Sequence, residues 1–129
     1  MKGFDADYYN NLHYIAYDEQ VHVQTLQSAL QAAGVTPNAA CQYNFPYTDV
    51  RSFITLSSVL EGVGTSAYLG GAPLITSKYY LTVAGSILAT EALHTSYQRN
   101  AINEVPMANP FETVSLPSPY LRGLALTVF

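Results

Sequence analysis

Charge is what this chain has least of. Charged side chains make up 11% of its 129 residues, less than half the roughly 25% of ordinary soluble proteins, so Ser, Thr, Asn, Gln and Tyr must cover most of its surface. The basic residues Lys2, Arg51, Lys78, Arg99 and Arg122 are scattered. No cationic stripe exists to neutralise a phosphate backbone, and nucleic acid is not an expected partner. Tryptophan is absent. Cys41 is alone, which excludes a disulfide within the chain and reads as a small buried hydrophobe. Apolar runs are interrupted by Ser, Thr, Gly or Tyr every few positions, far short of the about 18 residues of a membrane span. MKGFDADYYNNLHYI at the start has neither the apolar run nor the cleavage site of a signal peptide.

What is present is apolar residue at helical spacing. With 49% hydrophobic residues, the chain is expected to form one domain with a real core, residues 1–129. Leu12, Ile15, Ala16, Val23, Leu26, Ala29 and Leu30 predict a first helix over about 7–33, stopped by Gly34 and Pro37. Residues 35–49 hold prolines, asparagines and aromatics without periodicity, and predict a loop packed down by Tyr43, Phe45 and Tyr47. Thr48 or Asp49 can cap a second helix over about 50–68, through Phe53, Ile54, Leu56, Leu60 and Val63, which GGAP at 70–73 should break. A third follows over about 77–100, carrying Leu81, Ala84, Ile87 and Leu88. The fold class is all-α, a bundle of three long helices followed by an extended, proline-rich tail over 101–129. That tail should pack on the bundle or on a partner chain, with LRGLALTVF docking as a short strand or final turn.

Two short stretches break the apolar pattern in the same way. DEQVHVQ at 18–24 and TEALHTS at 90–96 each place a Glu and a His three residues apart. On a helix such residues lie about 60° apart on one face, and both Glu19 and Glu91 fall in the middle of their helix's apolar stripe. His22 and His94 share those faces, whereas Asp18 faces outward and His13 lies about 120° from Glu19 on the flank. Glu61 sits at the edge of the second helix's apolar arc, with Ser57 and Gly64 as small neighbours.

A carboxylate aimed at a core needs a positive partner or a hydrogen-bond network, and no Lys or Arg lies in either stripe. A metal ion would resolve the arrangement, because Glu oxygens and neutral imidazole bind iron or manganese well. A single Glu-x-x-His is more often a chance pair on a solvated face. Two of them, each centred in an apolar stripe and joined by Glu61, favour a site of Glu19, His22, Glu61, Glu91 and His94.

The runs IAYDEQVHVQTLQSALQAAGVTPNAACQYNFP, LEGVGTSAYLGGAPLI, YLTVAGSILATEALHTSYQR and NPFETVSLPSPY together resemble the ferritin-like stress-response and desiccation-related proteins of fungi, plants and bacteria, and look closest to the fungal branch. The resemblance covers about 10–120. It implies a four-helix ferritin-like bundle, made as a secreted or cell-surface protein, with a dimetal site built from one Glu on each of two helices and a Glu-x-x-His on each of the other two. The family's preceding helix, with its own Glu, has no counterpart here. The expectation is therefore an incomplete site holding one ion or none, and either an apolar groove filled by the C-terminal segment or by another chain in a homo-oligomer, or a chain that is a fragment of a longer precursor.

Three functions compete on these grounds. The first is a carboxylate-bridged dimetal centre that binds or oxidises iron, or activates oxygen or peroxide. The second is a non-catalytic structural or self-assembling protein with a vestigial site, suited by low charge and many tyrosines. The third is a binding module whose groove takes an apolar ligand or partner helix. GVGTSAYLGG is no phosphate loop, since GK[ST] does not follow it, and no Ser sits in a nucleophile elbow.

Overall fold

A computed structural model describes residues 4–107 and 109–115. Within them the chain forms three α-helices, α1 (Ala6–Ala32), α2 (Val50–Gly71) and α3 (Lys78–Ala101), with no strand among the described residues. It divides into two compact units, one running through Asn44 and the other starting at Phe45.

The first unit is α1 and the segment after it. Asp5 starts the helix by accepting the Tyr8 N–H at 2.9 Å, which satisfies one of the amides a helix N-terminus leaves open. Gly34 ends it at φ 74, the left-handed conformation that a glycine adopts without a Cβ clash. The Gly34 N–H then reaches the Gln31 carbonyl and the Val35 N–H the Leu30 carbonyl, a Schellman stop that the sequence signals correctly. Tyr8 and Ile15 are its buried residues, while Val23 and Leu26 of the expected stripe are exposed. The segment after it has no regular structure through Thr48, as expected; Tyr43, and in the second unit Phe45 and Tyr47, are about half exposed or more, although Tyr47 lies edge-on to Phe53 with ring centroids 5.3 Å apart. Cys41 is likewise exposed, not a buried hydrophobe.

The second unit is an antiparallel pair of helices. Asp49 caps α2 through a reciprocal box: its carboxylate accepts the Ser52 N–H at 2.7 Å and Ser52 Oγ accepts the Asp49 N–H at 3.0 Å. Hydrogen bonding from Ser52, its amide first and its side chain second, holds the Asp49 carboxyl below its ordinary value of 3.8. The break expected at GGAP comes three residues later than predicted. Two adjacent glycines weaken a helix without ending it, whereas Pro73 removes an amide donor, so α2 runs through Gly71 and tightens into a 3₁₀ turn at Ala72–Leu74. Ser77 Oγ then caps α3.

Which side of α2 is buried differs from the expectation. Phe53, Leu60 and Val63 are exposed, and the buried residues of α2 are Ile54, Ser58, Glu61, Thr65, Ser66 and Gly70, of which Glu61 and Thr65 meet α3 side chains. Small side chains let two helix backbones approach closely, and hydroxyls turn inward by bonding their own helix: Thr65 to the Glu61 carbonyl and Ser66 to the Gly62 carbonyl. From α3 come Ala84, Ile87, Glu91, His94, Thr95 and Gln98. The first tail residues pack back: Ile102 is buried and accepts from Arg51 at 2.9 Å, and the Ser115 N–H donates to the Ser66 carbonyl. The proposed docking of LRGLALTVF lies outside the described residues.

Candidate metal centre

The five residues singled out from the sequence fall in two places. On α1, Glu19 and His22 point the same way, with Nδ1 of the imidazole 3.4 Å from Oε1 of the carboxylate; the His22 side chain is mostly buried and that of Glu19 about half-buried. The i, i+3 spacing alone accounts for this pairing. His13, one turn and a half earlier, instead lies edge-on against Tyr9 with ring centroids 4.6 Å apart, and takes no part.

In the second unit, Glu61 from α2 meets His94 from α3 inside the helix pair. Both are more than nine-tenths buried, and Glu61 Oε2 lies 3.3 Å from His94 Nδ1. Glu61 is therefore not at the edge of the buried arc but in its middle. Its second oxygen, Oε1, accepts from Nε2 of Gln98 at 3.3 Å. Neither partner is a permanent cation. A carboxylate taken this far out of water carries a cost that two hydrogen bonds offset only in part, and with the carboxylate ionised the contact to Nδ1 is attractive only when that nitrogen carries a proton.

Glu91 completes the group on α3. It is 5% exposed, and its carboxylate points Oε2 at Gly64 of α2, about one turn beyond Glu61: a Cβ on that glycine would stand 2.7 Å from Oε2 and 4.0 Å from Oε1. No side chain larger than glycine leaves this space open. Farther along the interface, the Thr65 and Thr95 hydroxyls face each other at 3.4 Å.

Two further residues touch the acidic side chains: Gln98, which the pattern of charged residues does not reveal, and Gly64, which the sequence marks only as a small neighbour of Glu61. Both have a readable signal. Gln98 is seven residues after Glu91 and four after His94, so it continues their face of α3. Gly64 follows Glu61 by three, on the same side of α2.

The residues offering oxygen or nitrogen ligand atoms for a metal are thus Glu19 and His22 on α1, and Glu61, Glu91 and His94 on α2 and α3. Carboxylates with imidazole, and no thiolate, suit a hard or borderline divalent cation rather than copper(I) or an iron–sulfur cluster. A search of curated proteins finds no match. A family model described as the ferritin-like domain does match, over residues 1–104, and so takes in all three helices. With most of its length matched, and with long helices that carry buried Glu and His, the chain belongs to the ferritin-like domain family.

Proposed function

We propose that the chain is a ferritin-like metal-binding protein, in which Glu61, Glu91 and His94 of the second unit supply carboxylate and histidine ligands for iron or manganese, and Glu19 and His22 of the first offer ligands of the same kind. The observation that carries this reading is the buried Glu61–His94 contact. A carboxylate oxygen and an imidazole nitrogen that share a proton out of water form a pair that a divalent cation can bind in its place, the proton passing to solvent or to the far ring nitrogen. Glu91 adds a second buried carboxylate from α3, and α1 repeats the Glu-x-x-His pattern in Glu19 and His22. Bound iron or manganese would supply redox chemistry toward oxygen or peroxide. The protein's own part is to strip water from the carboxylates and hold Glu61 and His94 in contact. A stress-associated role and placement outside the cell belong to the same proposal, and rest on the resemblance of the sequence alone.

Metal analysis tests it. Chain loaded anaerobically with Fe(II) or Mn(II) and then desalted should retain metal, while Glu61→Ala and His94→Ala, checked for unchanged helix content, should lose most of it. Equal metal in all three proteins would end the proposal.

A second reading, an assembly scaffold whose site has fallen out of use, draws on the exposed apolar side of α2. Val59, Leu60 and Val63 stand at helical spacing with half or more of each exposed. Light scattering at high concentration distinguishes it, since a monodisperse monomer would remove its basis.

A further inference from the structure

Gln98 is completely buried, yet only one end of its amide is used. Its Nε2 donates to Glu61 Oε1, while its Oε1 meets no donor among the described residues. A buried carbonyl without a donor is costly, and Leu or Met would fill the same volume without that cost. The orientation of the amide is fixed by its neighbour: turned over, it would set a carbonyl oxygen against a carboxylate. What the position gains from glutamine is therefore the single contact with Glu61.

We infer that Gln98 is a positioning residue for Glu61. By holding Oε1, it fixes the plane of the carboxylate and leaves Oε2 as the oxygen beside His94 Nδ1. Glu61 would then offer a cation Oε2, in a direction set by α3 rather than by its own three rotatable bonds. A carboxylate without this restraint can swing or offer both oxygens, and its pairing with His94 loosens. The inference rests on the metal-binding reading for its consequence, though the restraint itself exists in the metal-free chain.

Gln98→Met, close in shape but without the amide, tests both aspects. In the metal-free chain, the ring-nitrogen resonances of His94 should move in Gln98→Met, and the side-chain amide resonance of Gln98 should move in Glu61→Gln. In anaerobic titrations with Co(II), Gln98→Met should bind about 10 to 100 times more weakly and show altered visible bands. Thermal stability should be unchanged or higher, which separates positioning from a structural role. Affinity within about threefold of the parent, with the same bands, would overturn the inference. Should the parent chain take up no Co(II), the metal-binding reading fails separately, and unmoved His94 resonances in Gln98→Met would then refute the positioning role. If Gln98→Met does not fold, the Gln98 amide resonance in Glu61→Gln decides: an unchanged position refutes the contact.

Discussion

Gly64 and Gly85 offer the same substitution in opposite surroundings. In a helix interior Gly→Ala gains roughly 1 kcal/mol of intrinsic stability. At Gly85, on α3, a new Cβ meets nothing within 4 Å, so the gain should appear undiminished. At Gly64 the new methyl would lie 2.7 Å from Glu91 Oε2 and 3.4 Å from Glu91 Cδ. An ordinary contact requires the carboxylate to retreat by roughly 0.7 to 1 Å. Glu91 is 5% exposed and cannot swing into water, so the retreat must displace packed neighbours at an expected strain of about 1–3 kcal/mol. Gly64→Ala should therefore be less stable than Gly85→Ala by about that amount, read as a lower urea midpoint at unchanged slope. In a Glu91→Ala background the obstacle is gone, and Gly64→Ala should become as favourable as Gly85→Ala, a coupling that a double-mutant cycle measures directly. Gly64→Ala that stabilises as much as Gly85→Ala with Glu91 in place would refute the close approach of Glu91 to α2.

Ile54 has no exposed surface, so Ile54→Ala should cost about 2–5 kcal/mol in urea unfolding; a loss below about 1 would show that the packing around it does not limit stability. The Asp49 cap should be sensitive to acid. Its carboxyl is held below 3.8 in the folded chain, so its contribution is complete above the unfolded value and disappears as pH falls through the lower folded value. The stability difference between the parent and Asp49→Ala should hold constant from neutrality to about pH 5 and vanish in stronger acid, whereas Asp49→Asn, which caps without titrating, should keep its advantage over Asp49→Ala throughout.

The helices were legible because their punctuation is chemical: Asp5, Asp49 and Ser77 as caps, and Gly34 as a left-handed stop, act through contacts only a few residues long. Glu61, Glu91 and His94 were legible as polar residues out of place in apolar periodicity. The buried side of α2 was not, because hydrophobicity favours Phe53, Leu60 and Val63, whereas close packing buries Ser58, Thr65, Ser66 and Gly70. Side-chain size outweighed polarity there, since each hydroxyl can bond its own helix. Gln98 escaped notice for a related reason: glutamine is ordinarily a surface residue, and only its register with Glu91 and His94 marks it. The length of α2 turned on the difference between Gly, which weakens a helix, and Pro, which ends one.

The short turn at Ala72–Leu74 also orders the assembly of the helix pair in time. Contacts across the pair grow in span with distance from that turn: Thr65 and Thr95 are 30 residues apart, Glu61 and His94 33, Glu61 and Gln98 37, and Arg51 and Ile102 51. Because closing a longer loop costs more chain entropy, the pair should zip outward from the turn. The carboxylates and imidazole then meet partway through, before the free ends of α2 and α3 come together. A chain that frays at Arg51 and Ile102 would keep Glu61, His94 and Gln98 in contact, so the outer turns can loosen while the buried polar group stays shut.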